Sequence, residues 1–117
     1  MEIKKKLEIR YLDDLRKVLY DQKWAKKASN FEVYYIHRGV KQKNGLRYDI
    51  TIILPKMLGK EFPKTKGHYH PQNHQELYIV LEGKGIFLMQ KGRNKIQDVF
   101  VTEAKGGEVI IIPPGYG

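Results

Sequence analysis

From residue 31 onward the chain is a series of short runs rich in β-branched and aromatic residues, cut apart by glycine turns. Phe31 to His37 is the first run. Asn44-Gly45 follows it, a strong hairpin signal because both residues tolerate the positive φ of a tight two-residue turn. Tyr48 to Leu54 lies beyond that turn. Gln75 to Leu81, Ile86 to Gln90, Ile96 to Val101 and Val109 to Ile112 are the later runs. Gly83-Lys84-Gly85, Gly92-Arg93-Asn94 and Gly106-Gly107 separate them, and Pro113-Pro114-Gly115 closes the series. Six or more short strands joined in this way read as an all-β sandwich or barrel. Residues 12 to 27 are the only helical candidate: Leu12, Leu15, Leu19 and Trp24 recur at roughly helical spacing, and Asp13 and Asp14 suit a first turn.

The 117 residues suffice for one compact domain, with 1–30 as an N-terminal extension carrying the helix and 31–117 as the strands. The absence of cysteine excludes a disulfide framework, a thiolate nucleophile and cysteine-ligated metals. It also suits a reducing cytoplasm. The basic start, Met1 to Lys6, has no apolar stretch behind it, and no run reaches the ~20 apolar residues of a spanning helix. The expectation is a cytoplasmic protein with neither signal peptide nor membrane span. Twenty-two Lys and Arg against 13 Asp and Glu leave a net charge of +9, which favours an anionic partner. That partner could be nucleic acid or a phosphorylated metabolite, but the cations are scattered with no nucleic-acid-binding motif to organise them, so the charge reads first as a solvated, lysine-rich surface of thermophilic type and by itself decides nothing. In the run ending at Leu81, Leu77, Ile79 and Leu81 fall on one face by period-two geometry, opposite Glu76, Tyr78 and Val80. That apolar face needs cover from another sheet layer or a second subunit, and a homodimer is expected.

Three of the four histidines lie within seven residues, in Gly67-His68-Tyr69-His70-Pro71-Gln72-Asn73-His74-Gln75-Glu76-Leu77-Tyr78. On an extended segment His68 and His70 project to one face, and paired imidazoles can reach one ion at ~2.0–2.1 Å. Glu76 opens the next strand after a short loop, so its carboxylate can fold back toward the pair. Two histidines and a carboxylate form a facial set that leaves positions open for substrate, and Fe, Mn, Ni, Zn or Co in the divalent state suits it. His74, in the loop beside Pro71, is the competitor to Glu76 as third ligand. His37, at the end of an early strand, reads as a surface or internally satisfied histidine.

The pattern His68-x-His70, Glu76 and Gly83 resembles the first cupin motif, and Gly107-x5-Pro113-x-Gly115 resembles the opening of the second. In cupins the second motif continues with two residues and a histidine, the fourth ligand. Here those two residues are Tyr116 and Gly117, the last of the sequence. The expectation is a piece cut just before that histidine, with weakened metal affinity and low or absent turnover. Within cupins, Phe31-Glu32-Val33-Tyr34, the strand containing Thr51, Gly59-Lys60-Glu61-Phe62, Thr65-Lys66-Gly67-His68-Tyr69-His70 and Glu76-Leu77-Tyr78 resemble the cupin-type glucose-6-phosphate isomerases. Two features depart from that pattern. The spacer from His70 to Glu76 is one residue shorter, and Phe31 stands where the family has tyrosine.

The resemblance implies a cupin β-barrel (a double-stranded β-helix of jelly-roll type) with a short N-terminal helical segment. It implies that His68, His70 and Glu76 bind one divalent metal. It further implies that Thr51, Thr65 and the Gly67 backbone hold a sugar phosphate, that Tyr78 lines the substrate site, and that Glu76 is the proton-transfer group. Parity independently places Tyr78 on the Glu76 face, whereas Thr65 has the opposite parity to His68 and rests on the resemblance. The implied reaction interconverts glucose 6-phosphate and fructose 6-phosphate, by proton transfer or by metal-directed hydride shift. Lys64 and Lys66 could steer the phosphate. The rival readings are a non-catalytic sugar-phosphate or metabolite sensor, a metal-dependent oxygenase and a basic nucleic-acid binder.

Overall fold

A computed structural model describes residues 5–67, 76–92 and 94–117. Strands dominate it and helix is confined to residues between 12 and 27, so the class is all-β with a short N-terminal helical segment, as expected. No helix among the described residues is long and apolar enough to cross a membrane. The chain divides into two compact units, Met1–Lys66 and Gly67–Gly117.

In the first unit β1 (Lys6–Tyr11), β2 (Glu32–Lys43) and β3 (Leu46–Ile53) form an antiparallel sheet with β2 in the centre. Asn44 and Gly45 turn the chain as expected. Lys43 opposes Leu46, and the two loop residues take φ of 54° and 76°, the left-handed pair that matches the twist of the flanking strands. The helical region differs from the single helix expected over 12–27. It is a short α1 (Leu12–Leu15), a 3₁₀ turn (Arg16–Val18), an extended Leu19 and a second helix, α2 (Gln22–Lys27). The Asp21 carboxylate accepts the Trp24 amide N–H at 3.0 Å and so starts α2 afresh. Gln22 Nε2 donates to the Leu19 carbonyl at 2.6 Å and satisfies the end of the preceding turn. The break lets Leu19 and Ala25 both enter the core with Leu12, Leu15, Val33, Tyr34 and Leu58.

A strand also precedes the helices where the sequence shows only a basic, charge-alternating segment. Antiparallel register sets Glu8 opposite Ile36, and Ile36 opposite Thr51, so these three share one face of the sheet. On that face Glu8 accepts from Arg38 at 2.9 Å, from Arg10 at 3.0 Å and pairs with Lys6 at 3.2 Å. Arg38 continues to Asp49 at 3.6 Å, and Asp49 also receives Arg47 and the Gly39 amide, both at 2.9 Å. Hydrogen bonds from Arg38 and then Lys6 hold the Glu8 carboxyl down at about 2, from an ordinary value of 4.5. A carboxyl more acidic in the folded chain than in the unfolded one stabilises the fold fully above the unfolded value. That contribution fades as pH falls from about 4.5 toward about 2. Urea titrations across this window should show wild-type stability dropping with pH and a shallower drop for Glu8→Gln. Identical pH slopes would show that the network adds no acid-labile stability.

In the second unit β4 (Glu76–Ile79) pairs antiparallel with β7 (Val109–Ile112), and β5 (Lys84–Lys91) with β6 (Asp98–Lys105). Met89 and Ala104, buried on one face of the β5–β6 ladder, form its core. The segment after Pro113 lies along β5: Gln90 and Gly117 exchange both main-chain hydrogen bonds at 2.9 Å. The Tyr116 hydroxyl donates to Asp98 at 2.6 Å, which raises its pKa above the ordinary phenol value, and its ring meets Phe100 edge-on.

Candidate active site

Period-two geometry on β4 puts Glu76 and Tyr78 on one face, and the β7 register adds Ile112 and Ile110 opposite them. The Tyr78 hydroxyl donates to Glu76 Oε2 at 2.9 Å, so the two residues expected to share a face are directly bonded. The Tyr78 ring packs against Phe87 of β5, with centroids 5.7 Å apart. Phe87 shares its face of β5 with the buried Met89. The carboxylate is therefore bonded to a phenol whose ring touches Phe87 and is itself exposed.

The reverse face carries Leu77, Ile79, Val109 and Ile111, each half or more exposed among the described residues. It is the apolar face expected from the alternation at Leu77, Ile79 and Leu81.

Of the other expected site residues, His68 and His70, with the competitor His74, lie outside the described residues. Thr51 is exposed in β3 and paired with Ile36. Thr65 and Gly67 are exposed in the segment that follows Pro63, and a Cβ built on Gly67 would meet nothing within 4 Å among the described residues. Lys64 is engaged otherwise than as a steering charge: its ammonium donates to the Val18 carbonyl at 2.7 Å and pairs with Glu61 at 2.9 Å. His37 sits within β2 between Leu7 and Ile50. Sequence reasoning passed over Tyr34. It is a buried core residue on the same sheet face as Thr51, and its hydroxyl accepts the Lys66 amide at 3.2 Å. Two adjacent tyrosines in a strand show no sequence signal for which one turns inward.

The sequence profile described as "Glucose-6-phosphate isomerase (GPI)" matches residues 10–117. A protein named glucose-6-phosphate isomerase from Thermococcus litoralis is 31% identical over 116 residues, covering 93% of this chain and 59% of the relative. One from Pyrococcus abyssi (strain GE5 / Orsay) is 33% identical over 113 residues, covering 91% and 58%. One from Pyrococcus furiosus is 30% identical over 116 residues, covering 93% and 59%. The chain thus spans less than two thirds of the length of these curated relatives, while nearly all of its own residues find a counterpart in them.

Proposed function

The chain belongs to the glucose-6-phosphate isomerase family, and from that membership we propose that it interconverts glucose 6-phosphate and fructose 6-phosphate at a metal site in a cupin-type barrel. The observation that carries the reading is the Glu76–Tyr78 pair on one face of β4, within a family match that includes both residues. A module that only binds sugar phosphate has no need of a carboxylate at such a site.

The proposed metal ligands are His68, His70 and Glu76. Two imidazoles and a carboxylate are a borderline donor set, which fits one divalent Fe, Mn, Ni, Zn or Co ion. The bound ion would supply Lewis acidity toward the two substrate oxygens at C1 and C2. The chain's own residues account for the rest. Glu76 takes the proton from one of these carbons and returns it to the other, while the hydroxyl proton passes from one substrate oxygen to its neighbour, so that the carbonyl and hydroxyl exchange places. Tyr78 holds the Glu76 carboxylate by its hydrogen bond and lines the site. Thr51, Thr65 and the Gly67 N–H hold the phosphate, and the missing side chain at Gly67 suits close approach of a ligand to the main chain. Net charge of +9 favours arrival of the dianionic substrate.

A coupled assay on fructose 6-phosphate tests this, with Fe(II), Mn(II), Ni(II), Zn(II) or Co(II) added in turn, for the 117 residues and for a form extended past Gly117. Turnover that needs metal and disappears with chelator is the expected result. Stoichiometric metal and sugar-phosphate binding without turnover in either form would replace the isomerase reading by a binding module. A cytoplasmic homodimer is the proposed assembly, with a second copy covering the half-exposed Leu77, Ile79, Val109 and Ile111. Sedimentation at the mass of a single copy would remove that part of the reading.

A further inference from the structure

We infer that Tyr34 is the positioning residue for the phosphate-holding segment Thr65-Lys66-Gly67. Its ring is almost wholly buried in the core of the first unit, beside Leu12, Leu15 and Leu58, so its hydroxyl is delivered to a fixed place. That hydroxyl accepts the main-chain N–H of Lys66 at 3.2 Å, across 32 residues of sequence. The segment itself has no regular secondary structure, and none of residues 62–67 belongs to a strand ladder. Side chains on either side of the bond are exposed, yet the amide between them is tied to the core.

Register gives the bond its functional meaning. Tyr34 opposes Ile53 and Ile36 opposes Thr51, so Tyr34 and Thr51 lie on the same face of the β1–β2–β3 sheet as diagonal neighbours. The tyrosine therefore sets the main chain of the segment bearing Thr65 against the sheet face bearing Thr51. Both threonines are assigned to the phosphate in the reading above, and this inference rests on that assignment. Tyr34 touches neither substrate nor metal in this account. It acts by keeping a segment without ladder bonds in the conformation that the phosphate needs, so that less ordering is left to be done on binding.

Tyr34→Phe keeps the ring and its packing and removes only the acceptor, leaving the Lys66 N–H without this partner. Calorimetry of fructose 6-phosphate binding to the Mn(II)-loaded protein, in both the 117-residue and the extended form, should show affinity weakened about tenfold, the change expected when one buried partner is lost. Amide hydrogen exchange at Lys66 should accelerate while the β5–β6 amides keep their rates. In an active form KM should rise by a similar factor with kcat within about twofold, because a positioning effect on a remote group is uniform binding. Tyr35→Phe is the control. Tyr35 lies on the other face of β2, where its hydroxyl donates to Glu32, and the substitution should change neither exchange at Lys66 nor affinity. Wild-type affinity in Tyr34→Phe, or unchanged exchange at Lys66, would overturn the inference, as would failure of the wild type to bind fructose 6-phosphate at all. Binding without turnover would sink the isomerase reading alone and leave this test intact.

Discussion

Glu76→Gln is expected to slow isomerisation of fructose 6-phosphate by about 10²- to 10⁴-fold, the range that a positioned acid–base group supplies. Glutamine fills nearly the same volume, and its carbonyl oxygen can still accept the Tyr78 hydroxyl that now lies 2.9 Å from Oε2. The ring contact with Phe87 is untouched, so the local architecture should survive. What disappears is the charge and the ability to carry a proton. Metal content measured beside the rate separates the two roles proposed for this carboxylate. A protein that keeps its ion but loses turnover has lost the proton-transfer group. One that loses both has lost a ligand. More than half of the wild-type rate in Glu76→Gln would be incompatible with either role.

The largest structural effect is expected at Gly92, and Gly83 supplies the comparison. Both have positive φ, 97° and 83°, and both flank β5. Alanine at either position meets the left-handed penalty of about 1–2 kcal/mol. At Gly83 nothing among the described residues lies within 4 Å of the added carbon, so the cost should stay near that range. At Gly92 the added carbon would stand 2.1 Å from the Lys95 carbonyl oxygen and 3.1 Å from the Gln97 nitrogen. Both atoms are main chain and cannot rotate away. The Gln97 N–H donates to the Lys91 carbonyl at 2.8 Å, so relief of the clash requires opening the turn that connects β5 to β6. Gly92→Ala should therefore cost about 3 kcal/mol or more in urea unfolding. Equal losses for the two alanines would show that the turn relaxes without opening.

These two glycines also mark the boundary between what local sequence determines and what needs the fold. Each is readable as a turn residue, because backbone freedom is a property of the residue itself. Which of them is crowded depends on where residues 95 and 97 fold back, and no local pattern carries that. The same division runs through the molecule. Asn44-Gly45 determined a hairpin register because the turn's φ requirement is satisfied within two residues. The parity of Glu76 and Tyr78 determined their common face, since period two is intrinsic to an extended chain. Leu12, Leu15 and Leu19 were legible as core because their spacing made one apolar stripe.

Tertiary structure decided the rest. The residues of β1 read as a charged N-terminal segment because Lys6, Glu8 and Arg10 dominate it. They lie in a sheet because β2, more than twenty residues on, supplies their ladder partners and the Arg38 guanidinium that pairs with Glu8. The helix expected over 12–27 broke at Leu19 because Asp21 offers its carboxylate to a new first turn, which competes with continuation. Tyr34 and Tyr35 are chemically identical neighbours, and only the sheet's two faces distinguish them: one hydroxyl reaches Lys66, the other Glu32. Residue type and spacing determined which groups this protein can bring to a site. Long-range pairing, such as Tyr34 with Lys66 and Glu8 with Arg38, decided which segments are tied to the sheet.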